Sequence, residues 1–179
     1  MKKSCITLLL TSIIFLIILG FILPQNSTHT EYLRIHVRAN SNNECDQAVK
    51  LKVKDAIVEY LVPVLSNCDT KLKAQKAVED NLSDIVIVAK ETLEKEGYFY
   101  GAKAGIKNEE FPTRVYNGLT LSSGYYDALI IELGSGEGDN WWCVVYPPLC
   151  FTGTGEIEYK SKIYQIVKNF YETRQKEEK

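Results

Sequence analysis

The sequence predicts an α+β fold, with an antiparallel sheet of about four to five strands packed against two or three helices and a hydrophobic helix in front. Three observations predict it. Tyr32–Ala39 alternates apolar and polar residues with period two, as a strand with one buried face does. The two segments that follow repeat apolar residues at helical spacing. Beyond Tyr98, short β-branched and aromatic runs alternate with turn signals. A strand, two helices, several strands and a last helix lay helices on an antiparallel sheet.

The chain has 179 residues, 45% of them hydrophobic, which suits one globular domain with an appendage. The appendage comes first. Lys2 and Lys3 precede Ile6–Leu23, an uncharged and mostly aliphatic run. Its eighteen positions span about 27 Å as a helix, close to a bilayer core. Residues 1–23 are a signal peptide or a membrane anchor. No clear small-residue cleavage site decides between them. The positive-inside rule keeps the two lysines in the cytoplasm and places everything after Pro24 outside it. Residues 24–30 are a polar linker, 31–171 the extracytoplasmic domain, and 172–179 a tail expected to fray.

Leu33, Ile35, Val37 and Ala39 form the apolar face of the first strand. Tyr32, Arg34, His36 and Arg38 form the other. Asn40–Asn43 turns the chain and caps a helix from about Glu44 to Leu61 or a little beyond, ended by Pro63. Its stripe is Val49, Val53, Ala56, Ile57, Tyr60 and Val64, with Lys50, Lys52 and Lys54 off it. Residues 67–70 cap a second helix, from about Lys71 to Glu96, with Gly97 as its stop. Tyr98–Lys107 reads as a strand weakened by Gly101 and Gly105. Pro112 makes Glu109–Tyr116 an edge strand or extended loop, and Asn117-Gly118 and Ser122–Gly124 are turns. Tyr125–Leu133 is the strongest strand. A last helix within Glu156–Tyr171 carries Ile163, Ile166, Val167 and Phe170.

The stretch Gly134–Phe151 (GSGEGDNWWCVVYPPLCF) holds both tryptophans. It reads as a glycine loop, a strand expected to lie antiparallel beside Tyr125–Leu133, and a rigid exit at Pro147-Pro148. Strand alternation sends Trp141 and Trp142 to opposite faces. Both belong to the core, or one anchors a partner. Beyond the apolar segment, Cys45, Cys68, Cys143 and Cys150 allow three full pairings. Cys45 and Cys68 flank a helix of about 30 Å, and disulfide Cα atoms stay within about 7 Å, which removes that pair. Cys143–Cys150 stands if the prolines reverse the chain. Otherwise all four are small buried hydrophobes.

Few residues suggest chemistry. The formal net charge is −2 with no basic block, which disfavours nucleic acid. Cys143 with His36 offers a nucleophile and a base, the alternative reading as an exported hydrolase. GSGEGDN lacks the Gly-Lys-Ser/Thr ending of a phosphate loop. Metal-ligand spacing is absent, and no cofactor is implied. Arg34, His36 and Arg38 bind an acidic partner or line a solvated sheet face.

RIHVRANSNNECDQAVKLKVKDAI, EEFPTRVYNG, SGYYDAL and GSGEGDNWWCVVYPPLCF, in this order, resemble the stage II sporulation protein R family of endospore-forming bacteria. The resemblance covers Leu33 to about Phe151. It implies a signal exported from the forespore into the space between two membranes. There it activates a membrane-embedded aspartic protease, which removes the pro-sequence of sporulation sigma factor E. The chain lacks the D-[ST]-G motif of such a protease, consistent with a role as its activator. The resemblance carries no contact residues. Arg34, His36, Arg38, Trp141, Trp142, Pro147 and Pro148 are the partner-binding candidates read from the chain itself.

Overall fold

Leu33, Ile35 and Val37 point one way from the first strand and are fully buried, which places that strand at the centre of the sheet. The computed structural model describes residues 28–116 and 119–151, together with Lys168. The apolar run, the Asn117-Gly118 turn, the tail and, apart from Lys168, the last predicted helix lie outside these residues. In chain order the elements are β1 (Thr28–Arg38), α1 (Glu44–Leu65), α2 (Lys71–Asp80), α3 (Leu82–Lys95) and β2 (Ala102–Phe111). A small hairpin follows, β3 (Arg114–Tyr116) and β4 (Leu119–Leu121). Then come β5 (Gly124–Leu133), β6 (Asn140–Tyr146) and a 3-10 turn, Leu149–Phe151. None of the described helices is long and apolar enough to cross a membrane.

The fold is α+β, with a mixed four-stranded sheet in the order β2-β5-β1-β6. β2 with β5 and β1 with β6 are antiparallel, but β1 runs parallel to β5. This corrects the expectation that β5 and β6 are neighbours: β1 lies between them. β1 can take that place because it is buried on both faces, and a strand with two covered faces belongs in the middle of a sheet.

On the first face, Leu33, Ile35, Val37, Leu129, Ile131, Leu133 and Val145 pack on Val49, Val53 and Ile57 of α1, Val78 of α2 and Ile85, Ala89 and Leu93 of α3. α1 runs past Pro63, which is exposed, because Leu61, Val62 and Leu65 stay buried. Their burial offsets the hydrogen bond that a proline removes. The expected single helix from Lys71 to Glu96 breaks at Asn81. Its Nδ2 donates to Ala77 O at 2.8 Å and its Oδ1 accepts from Tyr60 OH at 2.7 Å. A side chain bonded to its own backbone competes with the helix ladder.

On the second face lies a separate cluster of Tyr32, Phe111, Leu121, Tyr126, Ala128, Ile130, Val144 and Leu149. Its cover includes the β3–β4 hairpin, whose Leu121 is buried and whose Tyr116 and Leu119 pack against it. The expected solvated face of β1 is therefore covered.

Candidate functional site

The polar residues of β1 enter this second layer. Arg34 is 0% exposed. Its Cζ lies 4.2 Å from the Phe111 ring centre and 4.8 Å from that of Tyr126. Its Nη2 donates to Tyr116 OH at 2.7 Å, and Tyr116 OH donates onward to Trp142 O at 3.3 Å. Burial pushes the guanidinium below its ordinary pKa, opposed by the Tyr116 contact. Burial likewise pushes the Tyr116 hydroxyl up, opposed by Arg34.

His36, also buried, donates from Nδ1 to Glu109 Oε2 at 2.7 Å. Its ring lies 5.4 Å from Trp142 and 5.8 Å edge-on to Phe111. Arg38 is half-buried and pairs with Glu109 and, at 2.9 Å, with Glu132. Glu109 pairs with Tyr126 on β5, whereas His36 pairs with Ile130. In a flat sheet those levels would stand four residues apart, about 13 Å at ~3.3 Å per residue. The 2.7 Å bond between Glu109 and His36 therefore requires the far half of the β2–β5 hairpin to bend across the face. Arg114, on β3, closes the stack with its Cζ 4.5 Å over the Trp142 ring.

The tryptophans do face opposite ways. Trp142 joins the second layer, while Trp141 packs on the helix side with Lys54 Nζ 5.3 Å from its ring centre. Each is partly exposed, whereas Pro147 and Pro148 are buried. Cys143 and Cys150 are joined by a disulfide with Cα atoms 6.0 Å apart, while Cys45 and Cys68 are free. Cys143 and His36 do not meet. Cys143 belongs to the first core and His36 to the second layer, and the sulfur is already bonded. Among the described residues, no group of three His, Cys, Asp or Glu side chains could hold a metal ion.

The glycine loop is a clamp that sequence reasoning missed. Ser135 N and Asp139 N donate to the side-chain oxygens of Asn40 and Asn42, at 3.0 and 2.6 Å, and Gly138 N donates to Ala39 O at 2.9 Å. A phosphate loop would need those N–H groups for its ligand. The approach is close enough that a Cβ at Gly134 would lie 2.1 Å from Asn40 Oδ1, and one at Gly138 2.3 Å from Ser41 O. Lys50, expected off the stripe, is buried and donates to Asp139 O at 2.9 Å. Beneath sits buried Asp46, which accepts from Ser41 Oγ at 2.6 Å, Asn40 Nδ2 at 2.9 Å and Tyr100 OH at 3.0 Å. Burial raises its pKa, but these donors outweigh burial and hold it below the ordinary carboxylate value. A signal was present: a run of Asn and Ser before a helix and a glycine loop before a strand each ask for a partner.

Fold and site together define an α+β domain with a sheet covered on both faces, a buried aromatic and ionic layer, and a disulfide at the exit of its last strand. The chain belongs to the stage II sporulation protein R family, whose model matches residues 29–156. It is 35% identical over 119 residues to stage II sporulation protein R of Bacillus subtilis (strain 168), a stretch that is 66% of this chain and 53% of that protein. The match thus spans about half the length of that curated relative. No solved structure matches the chain.

Proposed function

We propose that this chain is an exported signalling protein of endospore formation that works by binding. Its target is the extracytoplasmic side of a membrane-embedded aspartic protease, which then processes the precursor of sporulation sigma factor E. Family membership over residues 29–156 carries the reading, because the match begins just beyond the apolar segment that would export or anchor the domain. Two further points support a binder over a hydrolase. The family is named for a stage of sporulation and not for an enzyme. The one nucleophile–base pair suggested by the sequence is split between two faces of the sheet.

The test is co-expression of the full chain with the protease and the sigma-factor precursor in a non-sporulating host. Precursor cleavage that depends on the chain is expected, and it should survive replacement of Met1–Leu23 by an unrelated signal peptide. Equal cleavage with and without the chain, or none in either case, would overturn the reading.

A further inference from the structure

Three cross-strand rows meet on the second face, from β2 through β5 to β1: Lys103–Glu132–Arg38, Gly105–Ile130–His36 and Lys107–Ala128–Arg34. Beside the column of β1 residues opens a depression of about 220 Å³ lined by Lys103, Ala104, Gly105, Lys107, Ile130 and Glu132. Gly105 forms part of its wall, and a Cβ added there would meet nothing within 4 Å. Packing within the described domain does not ask for glycine at this position. A glycine inside a strand often marks where another chain approaches closely.

The charges of these rows do not balance. Lys103, Lys107, Arg34 and Arg38 face two carboxylates, Glu132 and the bent-over Glu109. The deficit is greatest at the inner end. Arg34 Nε, Arg34 Nη1 and His36 Nε2 are buried and have no hydrogen-bond partner among the described residues. Buried polar atoms are nearly always partnered, so these three nitrogens stand out, although the Arg34 guanidinium as a whole is held by Tyr116 OH and the Phe111 and Tyr126 rings.

We propose that this depression docks an acidic peptide segment of a partner protein. One partner carboxylate sits between Lys103 and Lys107. A second competes with Glu109 and Glu132 for the part-exposed Arg38 at the rim, and adds negative charge above the buried Arg34 and His36 without entering their layer. The inference rests on the binding reading above and names the chemistry that the partner must present.

The test uses the full chain in zwitterionic detergent and a labelled hexaglutamate peptide with both ends blocked, followed by fluorescence anisotropy at low salt. Saturable binding is expected. It should weaken at least tenfold in Lys103→Glu/Lys107→Glu and in Gly105→Val, which fills the depression with a strand-favouring residue. Lys76→Glu, on the outer surface of α2, should leave binding unchanged, and thermal melts should confirm that all variants fold. Absence of saturable binding, equal loss in Lys76→Glu, or equal competition by inorganic phosphate would each overturn the acidic-peptide site. If hexaglutamate fails while chain-dependent sigma-factor processing persists, this site alone is wrong. If processing itself never depends on the chain, the functional reading is wrong.

Discussion

Tyr116 OH lies 2.7 Å from Arg34 Nη2, so a residue of a three-residue strand provides a side-chain acceptor for a guanidinium with no solvent exposure. Tyr116→Phe removes that acceptor and leaves the cation without it. A loss of about 1–3 kcal/mol is expected in urea unfolding. Arg34→Met in the same background should recover part of the loss, because it also removes the stranded charge. Strict additivity of the two substitutions would contradict the coupling.

Asp46 should make the domain acid-sensitive. Its folded pKa is held below the ordinary value. The stability it contributes is therefore present above the unfolded-state value of about 3.9 and is lost as pH falls through the lower folded one. Stability measured from pH 6 downward should fall most steeply below about pH 4. Asp46→Asn should be less stable at neutral pH and show a shallower acid slope. An unchanged slope would assign the acid sensitivity elsewhere.

Gly138→Ala should loosen the clamp. Its new Cβ would sit 2.3 Å from the Ser41 carbonyl oxygen, a backbone atom with little freedom to retreat. A loss of about 1–3 kcal/mol is expected, with faster amide exchange at Gly138 and Asp139. Gly105→Ala, which meets open space, is the matched control and should stay within about 0.5 kcal/mol of the parent.

The two tryptophans should fail differently. Each is partly exposed, so truncation to Ala should cost less than the ~3–5 kcal/mol of a fully buried aromatic. Trp142→Ala also removes the platform for Arg114, so limited proteolysis should cut near β3–β4 in that variant and spare Trp141→Ala. Identical digestion patterns would remove Trp142 from the hairpin's docking.

Thiol labelling of unfolded, unreduced protein should modify Cys45 and Cys68 and spare Cys143 and Cys150. Reduction opens a small ring and should cost under ~3 kcal/mol by loop-closure entropy. Labelling of Cys143 or Cys150 without reductant would show the bridge absent.

Much of the architecture was legible where one rule governs one stretch. The alternation of Tyr32–Ala39 placed a strand and sorted its faces, and strand parity sent Trp141 and Trp142 apart. What was not legible depends on elements far away in the chain. Arg34 and His36 look like a solvated face because nothing local says that a hairpin around residues 114–121 will cover them. Lys50 looks exposed until the backbone of Asp139 arrives above it. Glu109 reaches His36 only through a bend of the hairpin, which no residue spacing encodes. The place of β1 between β5 and β6 is of the same kind, since the burial of both its faces becomes visible only with the distant layers that cover it.

The central place of β1 also bears on how the chain reaches this structure. Of the described strands, the one made first pairs with the two made last, Leu33 meeting Asp127 on one side and Tyr146 on the other. The helices can form as they are synthesised, but their apolar faces lack a completed sheet until Tyr146 has been made. Such non-local pairing slows folding, and both edges of β1 stay unpaired throughout. Chaperones that hold unfolded chains would act on this interval, and a chain truncated before β6 would leave one long apolar edge of β1 open to self-association.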